Sequence, residues 1–271
     1  MSVRLATAGG PVADARRETA GFLVALGDSW FDYPFHDVLK LLDDDYGYNI
    51  ESAAHYGHAI ETMAYQGGQI DQFARCLERV TAHGAMPKAL LLSGGGNDLA
   101  GREFGMLLNS TISPIHGWND DVINGVIDQR VLTAYQTILA TMNRMCEELA
   151  GRTFPILVHG YDYPVPDGRG FLGGWPFAGP WLEPGFREKG FGDLPANVEL
   201  MRLLIDRFND MLSALAGDPT FGRLHYINLR NTLSTILVDD EYEDSWANEL
   251  HPTKEGFEAI TAKFAAVLGT L

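Results

Sequence analysis

The chain has 271 residues, with 36 acidic against 20 basic side chains, a formal net charge of −16, and 46% hydrophobic residues. That composition is ordinary for a globular chain and excludes a disordered one, and the negative field repels phosphate, which argues against nucleic acid or an anionic membrane as partner. Apolar runs all stop short of the roughly 18 residues a spanning helix needs, and two cysteines, Cys76 and Cys146, are too few for a disulfide framework.

Residues 1–20 read as a loose leader without the apolar segment of a secretory signal, so a cytoplasmic location is expected. Phe22-Leu23-Val24-Ala25-Leu26 is a short continuous apolar run, the pattern of a strand covered on both faces. Tyr48 to Ile50 is a weaker strand candidate, and Ile70, Phe73, Leu77 and Val80 form a helical stripe. Lys88 to Leu92 is a second apolar run, followed by an irregular stretch, 101–124. A long stripe from Leu132 to Leu149 precedes a third run, Phe154 to Val158. Residues 161–191 then hold eight of the 29 aromatics and five of the 13 prolines. A connection of that length is a binding loop or lid, or else a self-packed cover for the sheet edge. A stripe from Leu204 to Leu215, a weak strand at Leu224 to Leu229 and a last stripe from Phe257 to Leu268 complete the chain. Strands alternating with helices predict a parallel sheet wrapped by helices, a three-layer α/β domain over 21–271 with insertions at 101–124 and 161–191.

Three segments carry chemistry. Ser29 follows the first apolar strand, at the carboxyl edge where open parallel sheets bind ligands. Ser93-Gly94-Gly95-Gly96-Asn97-Asp98 follows the second. Three glycines without side chains imply close approach of another group, such as a phosphate or a developing oxyanion. The segment has Leu99 where a dinucleotide fingerprint needs glycine and lacks the Gly-Lys pair of a P-loop, so Asn97 is left as an amide donor or a cap. His251 stands before Pro252 and Thr253, which suit the start of the final helix. His55, His58 and His83 lack a metal-ligand spacing, and Asp43-Asp44-Asp45 lacks the spaced oxygens of a calcium loop. No metal or cofactor is called for. Ser93 ends a strand without a catalytic assignment, and its loss is expected to be mild.

Together these segments resemble the SGNH (GDSL-type) hydrolase superfamily. Gly27-Asp28-Ser29 is similar to its nucleophile block and Gly95-Gly96-Asn97-Asp98 to its G-x-N-D block. Ser52-Ala53-Ala54-His55-Tyr56-Gly57 resembles the N-x-G-x-x-G block, and Asn248-Glu249-Leu250-His251-Pro252 the D-x-x-H-P block. The blocks run in the family's order from residue 27 to 252. The resemblance implies a flavodoxin-like α/β/α sandwich with about five parallel strands and a serine esterase acting on a small-molecule ester of small or medium acyl length. It implies Ser29 as nucleophile, His251 as base, and the N–H groups of Ser29 and Gly57 with the Asn97 amide as oxyanion donors. Trp30, Phe31, Tyr33, Trp175 and Trp181 are expected to shape the acyl or alcohol pocket.

Two positions depart from the family pattern. Ser52 and Ala54 replace the usual asparagine and glycine, and Asn248 stands where the family has its acid. Three arrangements fit Asn248. It, or a backbone carbonyl, orients His251 as a dyad; a carboxylate from Glu249 or from Asp239, Asp240, Glu241, Glu243 and Asp244 folds into reach; or the site is catalytically feeble. Acyl transfer, carbohydrate deacetylation and a non-catalytic binding module are the alternative functions.

Overall fold

The computed structural model describes residues 19–82, 84–101, 103–174 and 177–271. Most of the leader, and His83, lie outside the described residues. The chain runs β1 (Gly21–Leu26), α1 (Val38–Asp44), β2 (Tyr48–Ser52), α2 (Ile60–Tyr65), α3 (Gly68–Ala82) and β3 (Pro87–Leu92). There follow α4 (Gly96–Leu99), a small ribbon of β4 (Leu108–Asn109) and β5 (Gly117–Trp118), α5 (Asp120–Ile123) and α6 (Leu132–Ala150). After β6 (Ile156–His159) come α7 (Glu183–Glu188), α8 (Leu194–Ala216), β7 (Leu224–Ile227) and α9 (Lys254–Leu268).

β1, β2, β3, β6 and β7 form one parallel sheet in the order β2-β1-β3-β6-β7. Counting the sheet's strands alone, this is 2-1-3-4-5, the flavodoxin-like order. The apolar runs of β1 and β3 explain their central place: Leu23 to Leu26 and Ala89 to Leu92 have no exposed surface, as strands covered on both faces require. Helix α1 packs beside α9, while α3, α6 and α8 lie side by side on the opposite face, giving three layers. Cys76 and Cys146 are buried in the helical stripes as free thiols.

The chain leaves β1 toward β2 and returns to β3 on the other side. The β1/β3 boundary is therefore the switch point where strand order reverses, and a crevice opens beyond their carboxyl ends. Ser29 follows β1 and Asn97 follows β3, so topology alone brings them to one place. The structure adds features the periodicity did not reveal. α1 and α2 have seven and six residues, too few to print a repeating stripe. A π-helical stretch, Asn124–Val131, leads into α6, and α8 begins at Leu194, a full ten residues before the apolar stripe. None of the helices formed by the described residues is long and apolar enough to cross a membrane.

Candidate active site

Ser29 sits in the turn after β1 and is 8% exposed. Its Oγ lies 2.8 Å from Nε2 of His251, a buried residue in the loop before α9. On the far side of the ring, Nδ1 lies 3.0 Å from Oδ1 of Asn248. That oxygen also accepts the backbone N–H groups of Leu250 and His251, each at 3.0 Å, while Asn248 Nδ2 donates to the Tyr33 hydroxyl at 3.0 Å. Two backbone donors can face only the carbonyl end of the amide, so its orientation is determined. The oxygen then takes the Nδ1 hydrogen, and Nε2 presents its lone pair to the serine hydroxyl.

The Tyr33 ring stacks on the imidazole with centroids 4.2 Å apart, and Trp181 meets it edge-on at 5.8 Å. This cover removes water. Burial pushes His251 down to about 3, and with an amide instead of a carboxylate no anion holds it up.

Glu249 is adjacent in sequence but faces elsewhere. Its carboxylate accepts the N–H groups of Gly168, Trp181, Leu182 and Glu183, fastening the 161–191 segment from within. The acidic residues at 239–241, 243 and 244 are exposed. The side chain hydrogen-bonded to His251 Nδ1 is that of Asn248.

Asn97, at the start of α4, lines the same cavity as Ser29 and His251. Its Nδ2 donates to the carbonyl of His58 at 3.1 Å, which ties it to the segment carrying Gly57. Among the described residues, the N–H groups of Ser29 and Gly57 have no hydrogen-bond partner. Gly57 has φ +77°, is exposed and is not among the residues lining the cavity. The triple glycine has another explanation than a bound phosphate. A Cβ at Gly94 would meet Ile60 at 2.6 Å, one at Gly95 would meet Phe208 at 2.6 Å, and one at Gly96 would meet the Tyr161 ring at 3.0 Å. The close approach comes from the protein's own core.

The cavity beside Ser29 measures about 50 Å³, and Leu99, Ala100, Leu182, Met201, Leu204 and Ile205 supply its apolar wall. Trp30 lines it too. Phe31, expected in the pocket, instead packs into the core against His159 and Phe264, its ring occupying the space left by the missing side chain of Gly27. Trp175 lies outside the described residues. Leu204 and Ile205 could not have been identified from sequence, because a stripe residue facing a cavity looks the same as one facing the core.

No family model and no curated protein matches this chain. Among solved structures it is similar to a GDSL-like lipase from Bacteroides thetaiotaomicron VPI-5482, at 12% identity over 92% of this chain and 88% of that one, with TM-score 0.41. It is also similar to a catalytic mutant of an acetylxylan esterase from Geobacillus stearothermophilus, at 14% identity over 93% and 95% of the two chains, with TM-score 0.47. A third is an alpha/beta hydrolase enzyme from the metagenome of Lake Arreo, Spain, at 15% identity over 93% and 96%, with TM-score 0.47.

Proposed function

We propose that the protein is a serine esterase for short acyl esters. The observation that carries this reading is the chain Ser29 Oγ–His251 Nε2–His251 Nδ1–Asn248 Oδ1, with steps of 2.8 and 3.0 Å, opening on a cavity that Asn97 also lines.

In the reaction, Ser29 Oγ attacks the ester carbonyl carbon as its proton passes to His251 Nε2. The carbonyl oxygen becomes an anion, and the Ser29 N–H and the Asn97 amide donate to it, with the Gly57 N–H as third donor. Collapse breaks the bond to the alcohol, which takes the proton from Nε2 and leaves an acyl-serine. Water then repeats the sequence: it gives a proton to Nε2, attacks the acyl carbon, and releases the acid and free Ser29. Asn248 brings no charge, yet it selects the tautomer with Nε2 free, the part of an acid's role that an amide can fill. The imidazolium is stabilised chiefly by the oxyanion that forms beside it.

Acyl length follows from volume. The cavity measures only about 50 Å³ and its wall is largely apolar, so a short acyl chain fits it better than a long one. That suits acetyl or propionyl. The test is turnover of p-nitrophenyl acetate, butyrate and octanoate, with labelling by a serine-directed phosphonate. Stoichiometric labelling at Ser29, loss of both signals in Ser29→Ala, and a steep fall from acetate to octanoate are expected. An active Ser29→Ala variant, or an enzyme that prefers octanoate, would overturn the assignment.

A further inference from the structure

Beneath the Ser29 turn lies a second polar set that the reaction above leaves unused. Asp28 is 1% exposed, and Ser93 and His159 are fully buried. Asp28 Oδ1 lies 2.6 Å from Ser93 Oγ and accepts the Trp30 N–H at 3.1 Å, while Oδ2 accepts the Tyr161 hydroxyl at 2.5 Å. Ser93 Oγ is in turn 2.8 Å from His159 Nε2, and His159 Nδ1 is 2.8 Å from the Gly160 carbonyl oxygen. None of the ion pairs among the described residues reaches Asp28 or His159.

The hydrogens in this series can be counted. Three contacts (Gly160 O to Nδ1, Nε2 to Oγ, Oγ to Oδ1) each require one hydrogen. The carbonyl cannot donate, so Nδ1 carries the hydrogen of a neutral imidazole, and Ser93 has one more. An ionised Asp28 has none. Two hydrogens for three contacts leave lone pairs facing each other in a dry interior, where an unmade hydrogen bond is costly. One additional proton completes the series in either of two forms. As imidazolium, Nε2 donates to Oγ, and the serine hydroxyl donates to the Asp28 carboxylate. As carboxylic acid, Oδ1 donates to Oγ, and the serine hydroxyl donates to Nε2. The forms interconvert by passing protons through the Ser93 oxygen, and both have zero net charge.

We propose that Asp28, Ser93 and His159 share one proton as a neutral positioning set for the nucleophile. Asp28 precedes Ser29 and clamps the N–H of Trp30, which follows it, leaving the Ser29 N–H free for the oxyanion. The Trp30 ring stacks on His159 at 5.5 Å, and its Nε1–H donates at 3.1 Å to the Leu250 carbonyl, next to His251. The set thus orients both the serine turn and the base loop. The titratable groups facing it are Tyr161 and, from α6, Tyr135, whose hydroxyl donates to Gly94 at 2.7 Å. Burial holds both phenols protonated. Loss of the shared proton would leave a negative charge beneath the oxyanion site.

The positioning role rests on the esterase reading, whereas the shared proton does not, and two measurements separate them. Nitrogen NMR of histidine-labelled full chain at neutral pH, assigned through His159→Gln, and infrared spectra of carbon-labelled aspartate report the proton. Either two protonated nitrogens on His159 or an Asp28 acid carbonyl band is the expected result. Singly protonated His159 beside ionised Asp28 would overturn the proposal. In kinetics, because Ser93 Oγ bridges Asp28 and His159, Ser93→Ala should not be mild as its sequence position suggests but should lower kcat about ten- to a hundredfold, the scale of small misplacements, at unchanged KM, and Ser93→Thr should restore it. A folded Ser93→Ala enzyme with wild-type kcat refutes the positioning role. If Ser93→Ala fails to fold, Ser93→Thr replaces it: a wild-type kcat together with the spectroscopic signature supports the set, and a lost signature with full kcat refutes it. A wild-type chain inert toward every ester and toward the phosphonate, yet showing the shared proton, would remove the esterase reading and leave the proton in place.

Discussion

Installing a carboxylate by Asn248→Asp isolates what the missing charge is worth. All existing contacts survive the exchange: one oxygen keeps the N–H groups of Leu250 and His251 and the Nδ1 hydrogen, and the other faces Tyr33, whose hydroxyl rotates to donate. The tautomer is already correct, so charge alone changes. With the ring nitrogen 3.0 Å from the oxygen, the charge centres lie about 5 Å apart, and an effective dielectric of 20 gives about 3 kcal/mol. That is roughly two pKa units, which lifts His251 from about 3 to roughly 5. With the proton about half transferred in the transition state, half of that energy is realised, and kcat should rise about tenfold. The assay is kcat/KM for p-nitrophenyl acetate against pH, through the acid limb. The limb should move up by roughly two units, in step with the base. An unmoved limb, or a fall in turnover, would show that Asn248 does not face the catalytic imidazole in the working enzyme.

Asn97→Ala should lower kcat by about 10² to 10³ with little change in KM, because the oxyanion exists only along the reaction path; an effect confined to KM would make Asn97 a ground-state contact. Glu249→Gln should cost about 2–3 kcal/mol in urea unfolding, since an amide has one oxygen for four N–H groups and turns its own donors on the rest. The acid limb of kcat/KM should stay where it is in that variant, and an unchanged unfolding midpoint would contradict the anchoring role. His251 also links stability to pH. Its folded value of about 3 lies below the ordinary 6.5, so the unfolded chain binds more protons between those values, and stability falls as pH drops through that window. The full contribution is about 5 kcal/mol, from 3.5 units at 1.36 kcal/mol each, and is present above the upper value. A His251→Gln variant should lose less stability than wild type on acidification, and parallel curves for the two would exclude the effect.

Much of the architecture is local, and local order is what a sequence displays. The runs Leu23–Leu26 and Ala89–Leu92 could hardly be anything but central strands, and the stripes of α3, α6 and α9 each declare one buried face. The alternation of these elements entails a parallel sheet, and with it the convergence of Ser29 and Asn97 at the carboxyl edges of β1 and β3. The positions of His251 and Asn248 were legible as a spacing of three. What the spacing could not decide was whether Asn248 or Glu249 serves the imidazole. Both are buried, and their side chains point to different parts of the molecule, one to the ring and one to four backbone donors of a segment some seventy residues earlier. The size of the cavity beside Ser29, the stacking of Tyr33 on His251, the core position of Phe31 and the union of Asp28, Ser93 and His159 are likewise products of tertiary packing. Each depends on where side chains from distant elements end in space, and periodicity along one element carries no information about the length or direction of what meets it from another.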